Sequence, residues 1–458
     1  MKADQHVVVI GNGIAGITLA QRLRARAKCR ITVISAESAT HFSRPALMYV
    51  YMGHLRQQDI IPYADWYWKE QNITLLHDHV EKIDTDKKEL QLQKGQSISY
   101  DILVLAIGSS AVYYNWPGQQ LKGVQALVTW QDLELMQQQT IGIKQATIVG
   151  GGLIGVEMAE MLQSKGIEVT MLVREPLYWR SNLPQQEAQL VTQHIQQCGI
   201  NLLLQDELAE ILGDTDGRVS AVKTKTGAEL PCQFAGIATG VKPNISLSKN
   251  TAIETDKGIL VNYLFQTSCK DIYAIGDCAQ FREPAPGEPA LEQLWYTGRQ
   301  HGEALAAILC GGGTPYKRGP WFNSAKFFNI EYQTYGFVPR DWDEQHYSSL
   351  YWEHPGKTKA IRLFYNLRNS QLVGINLLGV RYRHDLCHHW LRSNYTIHHV
   401  MQELTAANFD AEFFQRYEPE LLRQYYQQFP EQQAPAKQHA WWQLRHRFSL
   451  FSTTPDNC

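Results

Sequence analysis

Two kinds of apolar pattern alternate along most of the chain. Val7-Val8-Val9-Ile10 is wholly apolar and β-branched, as in a strand buried on both faces of a parallel sheet. It runs into Gly11-Asn-Gly13-Ile-Ala-Gly16, and from Ile17 to Leu23 the apolar positions recur with a helical period. Ile31-Thr-Val-Ile34 supplies a second strand, so strand, glycine turn, helix and strand follow one another within about 30 residues. The same unit recurs as Ala146-Thr-Ile-Val149, Gly150-Gly-Gly152-Leu-Ile-Gly155, a helix from Val156 to about Lys165 and a strand Val169-Thr-Met-Leu-Val173.

Each unit has a later companion strand that ends in a glycine turn, Tyr100 to Gly108 for the first and Phe234 to Gly240 for the second. Tyr273-Ala-Ile-Gly276-Asp277 again reads strand, glycine, acid. After Gly311-Gly-Gly-Thr-Pro315 the character changes. Strand-like runs rich in aromatic and β-branched residues appear at Phe327 to Gly336, Ala360 to Tyr365 and Leu372 to Val380, and helical patterns then carry the chain to about Gln428. Pro117-Gly118 and Lys242-Pro243-Asn244 punctuate the crossings between the units. The expected architecture is α/β: two Rossmann-like dinucleotide-binding domains and a C-terminal α+β domain. Residues 1–117 and 244–314 form the first, 118–243 the second and 315–410 the third, with a helical tail at 411–458.

The glycines carry chemistry. They permit a tight turn and close backbone approach to a pyrophosphate, whose charge sits on the free N–H groups at a helix N-terminus. One such match is weak, whereas two complete units, with Gly11 and Gly150 opening their loops, point to two bound dinucleotides.

Composition narrows the class. A chain of 458 residues exceeds what one core usually organises, and 44% hydrophobic with 19% charged residues is a globular balance. With 43 basic against 45 acidic residues, nothing suggests a nucleic-acid surface. The eight cysteines, at 29, 198, 232, 269, 278, 310, 387 and 458, show no paired spacing. That argues against a disulfide framework or zinc ribbon and for a reducing compartment. The segment before Val7 is too polar for a secretory signal, and no run approaches the roughly 18–20 apolar residues that span a bilayer. A cytoplasmic location is expected.

In order and spacing, Gly11-x-Gly13-x-x-Gly16, Ala106-Ile-Gly108, Gly150-x-Gly152-x-x-Gly155-x-Glu157, Ala238-Thr-Gly240 and Ile272 to Asp277 resemble the two-dinucleotide flavoprotein reductases of the pyridine nucleotide-disulfide oxidoreductase superfamily. The resemblance implies that FAD lies on the first unit, its pyrophosphate on Gly11, Gly13, Ile14, Ala15 and Gly16. It also implies that Gly276 and Asp277 meet the ribityl chain, Val80 the adenine, and Ser43-Arg44-Pro45 the flavin side. The acid expected at the end of the second strand is replaced by Ser35, and Glu37 is a candidate for its role.

A nicotinamide cofactor should occupy the second unit, on Gly150, Gly152, Leu153, Ile154 and Gly155, with Thr239 and Gly240 from the companion strand. Val173 stands where a ribose-binding acid is expected, and Arg174 and Arg180 could hold a 2′-phosphate, which favours NADPH. Gly155 and Glu175 argue the other way. Glu157 is implied to bind the nicotinamide carboxamide and orient the ring.

Missing residues decide the subclass. Residues 38–60 contain no cysteine, so the redox-active thiols of the disulfide reductases are absent, as is their His-Pro acid-base pair. The remaining resemblance is to the ferredoxin and rubredoxin reductase branch, carried by Trp295 heading its segment to Gly302 and by Trp321-Phe-x-Ser324. It implies hydride transfer from the nicotinamide to FAD with Trp295 beside both, then electron delivery to a small redox protein, with no side-chain nucleophile. Lys326 is a charge inside an apolar run, either near the flavin or a structural lysine with its head in solvent. His384, Cys387, His388, His389, His398 and His399 suggest a packed helical surface, and no metal is expected.

Trp441, Leu444, Phe448 and Phe451 recur at helical spacing beside Arg445, His446 and Arg447. This pattern suits a membrane-surface helix, as in quinone-reducing relatives, or a helix docked on the body or a partner. Two further functions therefore stay open: a quinone reductase peripheral to a membrane, and a flavoprotein whose redox state gates a protein partner.

Overall fold

The computed structural model describes residues 2–409 and 416–433. Two parallel sheets and one antiparallel sheet organise them. The first sheet contains β1 (His6–Ile10), β2 (Arg30–Ser35), β3 (Ile73–His77), β4 (Ile102–Leu105) and, returning from far along the chain, a strand at Ile272–Ala274. Their spatial order is Ile272–Ala274, β4, β1, β2, β3, all parallel, with Val9 opposite both Val33 and Val104. Val7, Val8 and Val9 are completely buried, as a strand covered on both faces must be. Helix α1 spans Ile14–Arg24. It begins three residues earlier than its apolar period suggests, because Gly13 acts as N-cap and the glycine turn itself enters the first helical turn. Helix α2 (Leu47–Met52) follows β2.

The second sheet repeats the plan with β5 (Val124–Gln125), β6 (Gln145–Val149), β7 (Glu168–Val173), β8 (Asn201–Leu204) and β9 (Phe234–Ile237), in the order β8, β7, β6, β9, β5. Its helices are α3 (Trp130–Gln139), α4 (Leu153–Gln163) and α5 (Gln185–Gln197). The strand at Ile272–Ala274, hereafter β10, completes the first sheet, and α6 (Trp295–Ala307) packs along α1. Between the two sheets the chain crosses twice. The crossings pair with each other as antiparallel segments Ser109–Ala111 and Val241–Pro243.

The third sheet is antiparallel: β11 (Phe322–Phe327), β12 (Ile330–Gly336), β13 (Tyr347–Glu353), β14 (Ala360–Asn366) and β15 (Leu372–Leu378), in the order β11, β12, β15, β14, β13. The run Phe327 to Gly336 is not one strand but the turn and second arm of a hairpin. Phe327 pairs with Ile330, and Phe328 takes a left-handed φ of 56° in the two-residue turn. Helices α7 (His384–Arg392), α8 (Ile397–Ala407) and α9 (Glu418–Gln428) cover this sheet, with Trp390, Val400, Leu404, Leu421 and Tyr425 in its core.

One apolar cluster joins α2 of the first unit to the second and third sheets. It includes Leu47 and Met48 from α2, Val156 and Met158 from α4, and Phe327 and Tyr332 from the third sheet. Inside this junction Arg362 of β14 meets Glu187 of α5 through Nε at 2.6 Å and Nη2 at 2.8 Å, with the two side chains 2% and 1% exposed.

Candidate functional site

At the C-terminal end of β1 the chain turns at Gly11, with φ +112°; a Cβ there would meet the Ala106 carbonyl oxygen at 2.1 Å. The turn delivers the chain to α1, whose Gly13 cap offers no side-chain acceptor. The first amides of α1, at Ile14, Ala15 and Gly16, therefore point outward as donors for an anion. Gly150 repeats the arrangement before α4, with φ +124°, 2.2 Å from such a Cβ to the Ala238 oxygen, and again an uncapped Gly152. The cradles of both glycine units fit a pyrophosphate on the same physical grounds.

Around the first cradle, Ser35 at the end of β2 donates to Asn12 Oδ1 at 3.0 Å, and Asn12 Nδ2 donates to the Ser38 carbonyl at 3.0 Å. Ser35 thus holds the loop together. Glu37 is paired with Arg44 at 2.6 Å and accepts the Trp130 amide at 2.9 Å at the start of α3. The structure brings Glu37 and Arg44 together beside the first loop, with Arg44 also donating to the Val128 carbonyl and lying over the Phe42 ring. Ser43 donates its amide to Ile60, Pro45 sits in the short turn after it, and Val80 is buried at the start of its strand.

Asp277 follows β10 through Gly276. Burial pushes its carboxyl up, opposed by a hydrogen bond from Ser109 Oγ at 2.8 Å and by the Arg44 charge. Gln293 Nε2 in turn donates to Ser109 Oγ at 2.8 Å, so Gln293, Ser109 and Asp277 form a chain of polar groups directly after Gly108. Asp277 keeps a free oxygen in this half-buried position, as an acceptor beside a polyol requires. Gly276 donates its amide to His301 Nδ1 at 3.2 Å, and burial drives the fully enclosed His301 down to about 3, so it stays neutral. Trp295 stands at the first position of α6, its ring 5.3 Å from Tyr296, whose hydroxyl meets Ser324 Oγ at 2.7 Å.

A cavity of about 1680 Å³ opens at the second cradle. Gly150, Gly152, Leu153, Ile154, Thr239 and Gly240 line it, and it continues to Trp321, just before β11, and Phe337, just after β12. This exceeds the roughly 300–1,000 Å³ of a single small-molecule pocket. Tyr178, buried beneath the loop, donates to the Gly152 carbonyl at 2.6 Å, and Thr239 donates to Val112 at 2.9 Å, tying the crossover to the cradle. Arg174 and Glu175 both line the cavity, with Arg174 72% exposed and its Nε 3.5 Å from Glu175. Arg180 is not brought to this edge. It is drawn to Asp341 and the Leu183 carbonyl, and an ion pair to the segment between β12 and β13 removes it from the place sequence spacing implied.

Glu157, one turn into α4, lies behind the cradle. Burial raises its carboxyl to about 7, with Lys326 pulling it down and Glu160 pushing it up. Glu157→Gln is therefore expected to stabilise the fold at pH 8. Between the ordinary value of 4.5 and about 7 the folded chain keeps a proton that the unfolded chain has lost, so stability falls as pH rises through that window. The loss amounts to at most about 3 kcal/mol, and a neutral glutamine removes it. Denaturant midpoints of both proteins at pH 5 and pH 8 measure this; a variant that gains nothing at pH 8 relative to pH 5 contradicts it.

The histidine-rich helices pack rather than converge. The His384 ring lies 4.5 Å from Phe322 and 5.8 Å from His388, Cys387 is buried in the third core, and His398 Nδ1 meets the Tyr425 hydroxyl at 2.8 Å. Among the described residues no group of three or more His, Cys, Asp or Glu is placed to hold a metal ion, and no helix is long and apolar enough to cross a membrane. Trp441, Leu444, Phe448 and Phe451 of the tail lie outside the described residues.

Sequence reasoning missed Ser109, Gln293, Asn12 and Tyr178. Ser109 had one usable signal, a hydroxyl directly after the Ala106-Ile-Gly108 turn. Gln293 and Tyr178 had none, because their partners lie 184 and 26 residues away.

The family profile described as pyridine nucleotide-disulphide oxidoreductase matches residues 5–302. The chain is 30% identical over 382 residues to nitrite reductase [NAD(P)H] of Bacillus subtilis (strain 168), covering 82% of this chain and 46% of that protein. It is 32% identical over 306 residues to the ferredoxin--NAD(+) reductase subunit of the benzene 1,2-dioxygenase system of Pseudomonas putida, covering 66% and 74%. The crystal structure of a ferredoxin reductase from Rhodopseudomonas palustris superposes with a TM-score of 0.75 at 25% identity, covering 82% of this chain and 91% of the other. The chain spans about half the length of the Bacillus relative.

Proposed function

Given that the chain belongs to the pyridine nucleotide-disulphide oxidoreductase family, we propose that it is an FAD-dependent NAD(P)H oxidoreductase that passes electrons to a small redox protein of the ferredoxin or rubredoxin kind. The observation that carries this is the pair of uncapped glycine cradles, at Gly11–Gly16 and Gly150–Gly155, with no cysteine in residues 38–60 between them. The Pseudomonas putida and Rhodopseudomonas palustris relatives, both named as ferredoxin reductases, support the choice of acceptor.

The amides of Ile14, Ala15 and Gly16 would hold the FAD pyrophosphate, Glu37, steadied by Arg44, would meet the adenosine ribose, and Asp277, steadied by Ser109 and by the Arg44 charge, would accept from the ribityl hydroxyls. Bound FAD supplies hydride acceptance and the release of electrons singly or as a pair. Glu157 would orient the nicotinamide carboxamide, and the positive dipole end of α6 at Trp295 would favour the reduced flavin.

For the choice of nicotinamide, Arg180's bond to Asp341 leaves Arg174 alone against the Glu175 carboxylate at the cavity edge. Glu175 as acceptor for a ribose 2′-hydroxyl supports NADH before NADPH, reversing the order that Arg174 and Arg180 suggest together. The flavin of the purified holoenzyme should bleach on anaerobic stopped-flow mixing with NADH, more slowly with NADPH, and the reduced enzyme should then reduce ferredoxin or rubredoxin. Flavin left oxidised by both nucleotides sinks the reading, and a tenfold preference for NADPH sinks its finer part. Delivery to a membrane quinone through the tail predicts that a chain ending near Gln428 no longer co-sediments with liposomes.

A further inference from the structure

Among the described residues around Glu157, Lys326 is the one cation placed where α2 meets the second and third sheets behind the second cradle. It projects from β11, and its Nζ lies 2.7 Å from Glu160 Oε1 on α4 and 5.0 Å from the centroid of the Tyr49 ring on α2. Lys326 and Glu160 are 22% and 19% exposed, so the pair is largely withdrawn from solvent, where charge acts at longer range and more strongly. Glu160 stands three residues beyond Glu157 on the same helix face. Across the β11–β12 hairpin Lys326 faces Glu331, but that carboxylate is held by Arg381.

We propose that Lys326 is a positioning residue for nicotinamide recognition, its ammonium held by Glu160 and Tyr49 so that its charge acts on Glu157 whenever the third sheet is docked. This rests on the role given to Glu157 above. The ionisable groups acting on Glu157 are Lys326 from β11, Glu160 from α4 itself and the buried Tyr178 from the loop before α5. Only Lys326 brings a positive charge. The ionised carboxylate accepts from the carboxamide NH2 and the protonated form does so poorly, so affinity should fall as pH drops through the range near 7 where Glu157 titrates. Removing the lysine takes away the favourable charge and leaves Glu160 repelling Glu157 at close range, so the midpoint of that fall moves to higher pH.

The test is calorimetric titration of the oxidised holoenzyme with NAD+ and with NADP+ from pH 6 to pH 9, which reads binding without turnover. In Lys326→Gln the midpoint of the affinity loss should rise by about one pH unit, weakening binding at pH 7 by about fivefold. Lys326→Arg should restore it. In the double variant Lys326→Gln with Glu160→Gln the midpoint should return toward that of the parent chain, because both charges acting on Glu157 are then gone. Flavin content and melting temperature check that each variant is folded. A folded Lys326→Gln protein with unchanged affinity and midpoint overturns the proposal. So does weakened binding without a shift in midpoint that the double variant fails to recover, since that is the mark of a packing role. Glu157→Gln separates the two levels of the argument: if it leaves nucleotide binding and its pH dependence intact, the carboxamide role itself falls.

Discussion

Arg362→Ala should lower the stability of the folded chain by about 3–5 kcal/mol, the cost of leaving a buried charge without its partner. The guanidinium forks onto both oxygens of Glu187, donates to Ser349 Oγ at 2.6 Å and to Gln186, and lies over the Tyr351 ring with its carbon 4.3 Å from the centroid. Truncation strands the Glu187 carboxylate at 1% exposure, with only a long 3.5 Å contact from Asn376 Nδ2 remaining. Glu187→Ala should cost as much, by stranding the guanidinium. Replacing both, with Arg362→Met and Glu187→Leu, should recover most of the loss, because apolar side chains of similar volume avoid the desolvation that the ion pair only just repays. Urea denaturation of the three variants measures this. A double variant as unstable as either single one shows that the site depends on hydrogen-bond geometry rather than on charge pairing.

The second large effect separates the two cradles. In Gly11→Ala the new methyl would lie 2.1 Å from the Ala106 carbonyl oxygen, at a φ of +112° that side chains avoid, so β1 and β4 must part or the turn must change. The expected result is a protein that loses its flavin, seen as loss of the flavin absorbance after gel filtration. Gly150→Ala meets the Ala238 oxygen at 2.2 Å in the same way, yet should keep the flavin while its reduction by NADH falls by at least a hundredfold, equivalent to about 2.7 kcal/mol of lost binding and orientation. Flavin lost equally from both variants would mean that the two cradles are not independent sites. Retention of flavin by Gly11→Ala would remove the first cradle from cofactor binding.

These variants test features of different legibility. Gly11 and Gly150 stood out in the sequence because a tight turn between strand and helix needs a residue without Cβ, and that demand is local. Glu157 was singled out by family resemblance, two residues after Gly155, and not by any local demand of the turn. Arg180 misled because spacing locates a residue along the chain without saying which way its side chain turns, and Asp341, 161 residues on, captured it. The hairpin at Phe328 was read as one strand because Phe327, Phe328 and Ile330 keep the run apolar and aromatic, with Asn329 as the single polar residue in its two-residue turn.

By itself the sequence determined the two strand-turn-helix units, because each follows from periodicity and spacing within about 30 residues, and the lack of cysteine in residues 38–60, which is a matter of composition. The tertiary structure alone decided which charges meet. Lys326 with Glu160, Ser109 with Asp277 and Arg362 with Glu187 are joined across 166, 168 and 175 residues. Partner choice at that separation depends on how sheets dock, and docking is driven by apolar surface that carries no address for an individual charge.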